Sequence, residues 1–288
     1  MKQLTVVSGK GGTGKTTVLA SFAALTQNAV IADCDVDAAN LHLLLQPRIL
    51  EEHEFRGAKV AVRDETKCQK SGVCEAECRF DAITVDAVDT RACEGCGLCV
   101  LACPNRALQL QRIVNGHAYV SETRYGPFAH AKLLPAAESS GRLVTRVRQL
   151  AEDVALRDGR GLVLIDGPPG IGCTATAAMA DVDVALVVTE PTLSGMHDME
   201  RVVQLASHFH LPVAVIINKA DINYHNTQQI RTFCAGNGIP LLAELIFDDV
   251  ATRAMAAQSP LVEFDDGPVS RGIASAWRQI ENHFNGSG

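Results

Sequence analysis

The chain has 288 residues, of which 47% are hydrophobic, and 26 Lys and Arg residues against 33 Asp and Glu residues give a net charge of −7. This composition argues against wholesale disorder and against a dedicated nucleic-acid binder. No apolar run approaches the roughly 18 residues of a membrane helix, and Met1 leads into a strand-like run rather than an export signal, so we expect a cytoplasmic protein.

Outside a cysteine-rich stretch, short apolar runs alternate with segments of helical spacing. Apolar runs of this kind suit parallel strands buried under helices, and the alternation predicts an α/β fold with a doubly wound, mostly parallel sheet. The predicted strands are Leu4–Val7, Ala29–Ala32, Leu162–Ile165, Val184–Val188 and Val213–Ile217. The predicted helices are Thr16–Thr26, Met196–His208 and Ala251–Gln258.

A glycine-rich loop lies between the first predicted strand and the first predicted helix. It matches the phosphate-binding pattern G-x-x-x-x-G-K-[ST] in the required context. Glycines let backbone N–H groups turn toward phosphate oxygens, while Lys15 brings positive charge to the β- and γ-phosphates and Thr16 offers a hydroxyl to Mg²⁺. We predict nucleotide contacts from Gly9, Gly11, Gly12, Thr13, Gly14, Lys15, Thr16 and Thr17.

The loop contains a second lysine, Lys10, and so resembles the deviant Walker A motif of the MinD/ParA superfamily of P-loop ATPases, which includes the nitrogenase iron protein. The resemblance implies a nucleotide-dependent homodimer, or a heterodimer with a paralogue, in which Lys10 reaches the nucleotide of the other subunit. Asp33-Cys34-Asp35 resembles the D-x-D switch segment of that family. This implies that Asp35 acts on the attacking water and that Asp33 lies near Mg²⁺. Asp37 stands where the family commonly has Gly.

Seven of the ten cysteines lie between Cys68 and Cys103. Because the chain shows no export signal, we expect these cysteines to be reduced and to bind metal rather than form disulfides. The spacing C-x2-C-x2-C-x3-C-P that starts at Cys93 is the bacterial ferredoxin pattern, whose fourth cysteine binds the other of two clusters. Zinc binding is the alternative. We predict that one [4Fe–4S] cluster is held by Cys78, Cys93, Cys96 and Cys99.

The first half of this stretch departs from the ferredoxin pattern. A repeat of 25 residues relates it to the second half and places Ser71 opposite Cys96. We predict a second iron–sulfur cluster of undetermined nuclearity, in which Ser71 is an oxygen ligand, or the corner iron is absent as in [3Fe–4S], or that iron is exchangeable. Serine is a harder ligand than thiolate, so this cluster is expected to be the more labile one. Its predicted thiolate ligands are Cys68, Cys74 and Cys103.

Three further segments complete the predicted site. Asp166 follows a buried strand and is the Walker B candidate, which with Thr16 and Asp33 would hold Mg²⁺. Asn218 and Asp221 belong to an Asn-Lys-x-Asp string that we predict to read the base. The family resemblance favours adenine, whereas the string itself leaves guanine open. A cluster shared between subunits at Cys173 is a minor alternative.

The combination resembles MinD-superfamily ATPases that contain an inserted two-cluster ferredoxin domain. We predict a P-loop ATPase domain at 1–57 and 114–288 and a ferredoxin-like domain at 58–113. The main hypothesis is that closure of the dimer around ATP and Mg²⁺ gates electron transfer, or delivery of a metal cluster, to a redox or cluster-accepting protein. The alternative is a MinD-like positioning or recruitment switch whose clusters are structural or redox-sensing. Nucleic acid is not a predicted partner, and the absence of a basic amphipathic tail argues against direct membrane binding.

Overall fold

The computed structural model describes residues 1–26, 28–135, 137 and 140–286. Its strands are β1 (Lys2–Ser8), β2 (Ala29–Asp33), β3 (Arg48–Phe55), β4 (Ala58–Arg63), β5 (Leu108–Ile113), β6 (Gly116–Thr123), β7 (Gly126–Leu133), β8 (Leu162–Pro169), β9 (Val184–Thr189), β10 (Val213–Ile217) and β11 (Leu241–Glu244). Its helices are α1 (Lys15–Leu25), α2 (Leu41–Leu45), α3 (Val73–Ala76), α4 (Leu98–Ala102), α5 (Gly141–Arg157), α6 (Cys173–Met179), α7 (Leu193–His208), α8 (Tyr224–Gly236), α9 (Val250–Ala256), α10 (Leu261–Phe264) and α11 (Pro268–Gly286). None of the described helices is long and apolar enough to cross a membrane.

Nine of the described strands form one sheet in the order β11-β10-β9-β1-β8-β2-β7-β6-β3. All the pairs from β11 to β7 are parallel. The neighbouring strands β6 and β7 are joined by only two residues, Arg124 and Tyr125. Because so short a connection can join only antiparallel neighbours, β6 and β7 form a hairpin. The predicted α/β fold with a mostly parallel sheet is confirmed.

Alternate residues of the central strands face two separate apolar clusters. On one face Val6 and Leu186 pack with residues of α1 and α11. On the other face Val7 and Val187 pack with residues of α6, α7 and α8. Helices therefore cover both faces of the sheet, and this explains why β9 is apolar at every position except its last.

Four strands of the large sheet were not predicted from the sequence. Two of them, β6 and β7, have polar or half-exposed residues between their buried ones, and β3 has one buried residue, Phe55, so all three lack the continuous apolar runs that mark β8 and β9. The fourth, β11, is a four-residue edge strand without a fully buried residue. Strands that are covered on one face, or that lie at an edge, carry a weaker hydrophobic signal than strands covered on both.

The chain divides into two compact units. The first comprises residues 1–53, 118–132 and 139–288, and the second comprises residues 54–117 and 133–138. The sequence-based boundaries at 57/58 and 113/114 differ from these by four residues at each junction and do not include 133–138 in the inserted domain. Residues 287 and 288 of the predicted ATPase domain lie outside the described residues.

The second unit is built on an antiparallel pair of strands. Ala58 pairs with Ile113 and Arg63 with Leu108, so β4 and β5 bracket the cysteine-rich stretch. Among the residues that the structure describes, its apolar cluster consists of the buried residues Ala61, Ile83 and Leu108, with five cysteines and two valines packed against them. So small an apolar cluster gives little hydrophobic stabilisation.

Candidate nucleotide site and cysteine groups

The glycine-rich loop connects β1 to α1, and two of its glycines are required by their surroundings. A Cβ at Gly9 would lie 2.6 Å from the backbone carbon of Asp198, and one at Gly14 would lie 2.6 Å from the amide nitrogen of Asn218. Gly14 also has a φ of 96°, in the left-handed region that other residues avoid. Nothing lies within 4 Å of a Cβ built at Gly11 or Gly12. The loop therefore leaves an open cradle on its ligand side.

Lys15 and Thr16 begin α1 and lie beside the predicted carboxylates. The Lys15 side chain is only 5% exposed, and its Nζ lies 4.0 Å from Asp35 Oδ2. Thr16 Oγ1 donates a hydrogen bond of 2.8 Å to Asp166 Oδ2. The structure thus brings four of the predicted catalytic and Mg²⁺-binding residues together at the first turn of α1.

Two carboxylates are buried side by side at the ends of neighbouring strands. Asp33 of β2 is in register with Asp166 of β8, and each is 1% exposed. Burial, followed by the charges of Asp166 and Asp35, raises the pKa of Asp33 well above its usual value. Burial likewise raises the pKa of Asp166, against the opposing effects of Lys15 and Thr16. Two buried like charges destabilise the ligand-free protein unless a proton or a cation offsets them.

The same carboxylates have unpartnered oxygens that fit a divalent cation. Asp33 Oδ2 and Asp166 Oδ1 are buried without a hydrogen-bond partner, although one oxygen of each residue is engaged. Carboxylate and hydroxyl oxygens are the ligands that Mg²⁺ prefers. Asp33, Asp166 and the neighbouring Thr16 therefore fit a Mg²⁺ ion that accompanies a nucleotide.

Lys10 is held within its own chain by the loop that follows β9. Its Nζ lies 3.1 Å from Glu190 Oε2 and donates a hydrogen bond of 3.2 Å to Thr192 Oγ1. Glu190 is buried and also pairs with Lys219. Sequence analysis did not assign a role to Glu190; the only signal for it is its position directly after a buried strand, where such sites collect polar groups.

The two predicted base-reading residues have different partners. Asn218 Nδ2 donates a hydrogen bond of 2.9 Å to the Thr13 carbonyl, which ties the end of β10 to the phosphate loop. Asp221 Oδ1 accepts a hydrogen bond of 2.6 Å from the Phe247 backbone N–H in the segment after β11. Asn218 is therefore next to the loop, whereas one Asp221 oxygen is already used to hold another segment.

Three cysteines of the second unit act electrostatically on a fourth, Cys99. Burial raises the pKa of the Cys99 thiol, and the charges of Cys93, Cys96 and Cys78 raise it further, in that order. Cys78 belongs to the first half of the repeat and the other three to the second half, and their binding of one cluster stays a prediction. Cys93 Sγ also accepts a hydrogen bond from the Ala61 N–H at 3.4 Å.

The remaining cysteines of this unit line one small cavity, together with the serine that interrupts the pattern. Cys68, Ser71, Cys74 and Cys103 all contribute to its wall. Cys68 Sγ accepts a hydrogen bond from the Lys70 N–H at 3.4 Å, and Cys103 Sγ accepts one from the Ala107 N–H at 3.3 Å. In the described part of the chain, no three His, Cys, Asp or Glu side chains are arranged to hold a metal ion. The predicted clusters consequently stay predictions.

The three cysteines outside the second unit differ in exposure. Cys34 and Cys234 are buried, as expected for small apolar residues, and burial raises the pKa of each thiol. Cys173 is exposed at the start of α6. A low-pKa thiolate is the reactive form of cysteine, so Cys34 and Cys234 are chemically inert positions.

The buried carboxylate pair leads to a prediction for Asp166→Asn. In the folded protein the pKa values of Asp33 and Asp166 are raised. The ligand-free protein therefore loses stability as the pH rises above about 4, the ordinary pKa of Asp, and continues to lose it until the pH passes the raised values. We expect Asp166→Asn to raise the melting temperature without Mg²⁺ by about 2–4 °C at pH 8 and by less at pH 5. It should also abolish stabilisation by Mg²⁺ and nucleotide. Thermal unfolding at both pH values measures this.

Asp153→Asn is the matched control, because Asp153 is exposed on α5. Its melting temperature should equal that of the unmodified protein at both pH values. A drop in melting temperature for Asp166→Asn at pH 8 would contradict the argument, because it would mean that the Asp166 charge stabilises the ligand-free fold.

Comparison with known proteins gives a consistent result. A family model described as the CobQ/CobB/MinD/ParA nucleotide binding domain matches residues 4–261. An uncharacterized protein of Methanocaldococcus jannaschii is 31% identical over 78% of this chain and 80% of its own length. The septum site-determining protein MinD of Bacillus subtilis is 24% identical over 90% and 81%, respectively. The solved structure of MinD with Mg-ADP from Pyrococcus horikoshii has a TM-score of 0.62 at 19% identity, and the match covers 98% of this chain and 97% of that one.

Proposed function

The chain belongs to the CobQ/CobB/MinD/ParA nucleotide-binding family, and we propose that it is a Mg²⁺-dependent ATPase that acts as a dimeric switch for recruiting a partner. MinD/ParA members of this family are ATPases and form nucleotide-dependent dimers. The observation that carries the proposal is the pair of buried, unpartnered carboxylate oxygens of Asp33 and Asp166 beside Thr16. The comparisons favour this MinD-like alternative over electron transfer, because the relatives with a described role include septum site-determining MinD proteins and the similar solved structures include MinD.

The proposed chemistry assigns a task to each residue near the loop. Lys15 and the N–H groups of the loop bind the phosphates, while Thr16, Asp33 and Asp166 hold Mg²⁺, which neutralises charge on the transferred phosphoryl group. Asp35 is partly buried, and burial raises its pKa despite the nearby Lys15, so the carboxylate is suited to orient the attacking water and take its proton. Asn218 next to Thr13 is the proposed adenine contact.

The switch itself depends on Lys10. We propose that Lys10 leaves Glu190 when two subunits close around ATP, and that it then reaches the nucleotide of the other subunit. Glu190 keeps Lys219 as a partner after this change, so closure does not leave a buried charge unpaired. Loops that respond to the γ-phosphate and also form the dimer face supply the two-state element that a switch requires.

Sedimentation with and without nucleotide tests the switch. The protein should be a dimer in Mg·ATP and a monomer in Mg·ADP, and Mg·ATP should be hydrolysed at least about tenfold faster than Mg·GTP. A protein that stays monomeric in a non-hydrolysable ATP analogue would contradict the proposal.

A second candidate function rests on the cysteines of the second unit. We propose that Cys78, Cys93, Cys96 and Cys99 bind one [4Fe–4S] cluster and that Cys68, Cys74 and Cys103 bind a second cluster near Ser71. The grouping of these residues and their N–H···S hydrogen bonds support the proposal, since such bonds are typical of cluster thiolates. The second unit would then be the inserted ferredoxin-like domain, and the relation to the nitrogenase iron protein would extend to a gated transfer of electrons or of a cluster.

Anaerobic purification tests this second candidate. Iron and acid-labile sulfide should be present in similar amounts, at about eight or fewer of each per chain. If closure gates transfer, Mg·ATP should change the EPR spectrum, the reduction potential or the chelator sensitivity of the clusters. If iron and sulfide are present but none of these three properties changes with Mg·ATP, gating is contradicted. The clusters would then have a structural or redox-sensing role.

A further inference from the structure

Several backbone features of the second unit recur at an offset of 25 residues. The short helices α3 and α4 begin in the same way. The Gly72 carbonyl accepts hydrogen bonds from the N–H groups three and four residues later, and the Gly97 carbonyl does the same. The offset is also visible in the left-handed residues, whose φ angles match in pairs: Lys70 (52°) with Gly95 (62°), Gly72 (77°) with Gly97 (80°), and Asp81 (51°) with Arg106 (50°). The repeat is therefore one of structure and not only of cysteine spacing.

Ser71 occupies the same place in this repeat as Cys96. Each residue lies between two left-handed residues, so each presents its side chain from an equivalent turn. Lys70 keeps a left-handed φ that a glycine adopts more easily, and its Nζ lies 2.8 Å from Asp86 Oδ1. The turn has thus kept its shape although its central residue offers a hydroxyl in place of a thiolate.

Ser71 lies beside three cysteines. It shares the wall of one cavity with Cys68, Cys74 and Cys103, which are its three predicted companions. Ser71 is exposed, as is Cys96. Three positions of the group therefore offer thiolates from partly buried residues, and the fourth offers a hydroxyl at the solvent side.

We infer that the group of Cys68, Cys74, Cys103 and Ser71 holds a cluster whose fourth metal position exchanges Fe²⁺ with the solution. The inference rests on the proposed binding of iron–sulfur clusters by this unit. Three thiolates retain three irons firmly, whereas a serine hydroxyl is a poorer ligand for a soft cluster iron. Exposure of Ser71 gives Fe²⁺ a route in and out.

The exchange is balanced in atoms and charge. On oxidation, a [4Fe–4S]²⁺ cluster releases one Fe²⁺ and passes one electron to an oxidant, and [3Fe–4S]⁺ remains. On reduction, [3Fe–4S]⁺ takes up one electron and one Fe²⁺ and returns to [4Fe–4S]²⁺. Ferricyanide and dithionite supply the oxidant and the reductant in the test below.

The test uses the full chain, purified without air and treated briefly with ferricyanide and an iron chelator. We expect the [3Fe–4S]⁺ EPR signal at about one spin per chain, with loss of about one iron. Dithionite and ⁵⁷Fe²⁺ should abolish the signal and introduce about one ⁵⁷Fe, seen by Mössbauer spectroscopy. Ser71→Cys should reduce both the signal and the exchange by at least about tenfold.

The repeat provides a mirrored variant. Cys96→Ser creates the same hydroxyl corner in the other group, so it should about double the exchangeable iron. Ser71→Ala keeps the three thiolates and should exchange iron at least as readily as the unmodified protein. These two variants and the unmodified protein keep the inference testable if Ser71→Cys does not fold.

Two negative results have different meanings. Folded protein that contains no iron and no sulfide would overturn the proposed cluster binding itself. Protein with a full complement of iron, no [3Fe–4S]⁺ signal and no ⁵⁷Fe uptake would leave cluster binding intact and overturn only the exchangeable corner.

Discussion

Lys10→Ala is expected to lower Mg·ATP turnover by about 10³-fold, the effect of removing a positive charge that acts on the transferred phosphoryl group. Nucleotide binding to a single subunit should change little, because Lys15 and the loop N–H groups remain. Steady-state turnover and equilibrium binding of a fluorescent ATP analogue measure the two effects separately. Lys2→Ala is the control, since Lys2 of β1 forms a half-exposed ion pair with Asp183, away from the phosphate loop in sequence, and its loss should leave turnover unchanged.

Mixing two inactive variants tests whether Lys10 acts on the other subunit. In a mixed dimer of Lys10→Ala and Asp35→Ala, the Lys10→Ala subunit keeps Asp35 and receives Lys10 from its partner. One of the two sites is then complete, so an equal mixture should recover about a quarter of normal turnover if subunits exchange freely. No recovery would contradict action across the dimer, because a lysine that acts within its own chain leaves both sites incomplete.

Cys78→Ser is expected to make one iron of the cluster at Cys93, Cys96 and Cys99 exchangeable, so that ferricyanide and a chelator remove about two irons per chain instead of about one. The variant leaves Cys93, Cys96 and Cys99 in place, so the additional loss would show that the first half of the repeat supplies the fourth ligand of the second half. Iron and sulfide analysis after this treatment of anaerobically purified protein measures the change, and circular dichroism confirms that the nucleotide-binding unit is folded.

Cys173→Ser is the matched control, because Cys173 is an exposed cysteine outside the second unit. Its iron content should equal that of the unmodified protein. Loss of iron in this variant would instead favour a cluster shared between subunits. A Cys78→Ser protein that loses no more iron to ferricyanide and chelator than the unmodified protein would contradict the crossed arrangement.

Much of the nucleotide site follows from the sequence for a simple physical reason. Parallel strands end at one edge of a sheet, so apolar runs that end in Asp33 and Asp166 predict that these carboxylates meet beside the phosphate loop. The Lys10–Glu190 ion pair could not be predicted in the same way, because its partners lie 180 residues apart in the chain and their contact depends on the conformation of two loops. Asp221 shows the same limit, since its bond to Phe247 depends on where the segment after β11 lies.

In the cysteine-rich stretch, residue spacing is more informative than hydrophobic periodicity. Its helices are too short and its apolar residues too few for periodicity to define it, and cysteine spacing instead predicts two groups of cluster ligands, which stay a prediction. The 25-residue repeat also carries the equivalence of Ser71 and Cys96, which the matched left-handed residues support. The left-handed φ of Lys70 itself was not predictable, because a lysine gives no signal for that conformation.

Native mass spectrometry of the protein prepared without air tests the central claim most directly, because one spectrum reports subunits, nucleotides and cluster mass together. In Mg²⁺ and a non-hydrolysable ATP analogue, the account predicts a dimer that carries about two nucleotides and about two clusters per chain. A monomer with bound nucleotide would contradict the switch, and a dimer without iron or sulfide would contradict the proposed role of the cysteines.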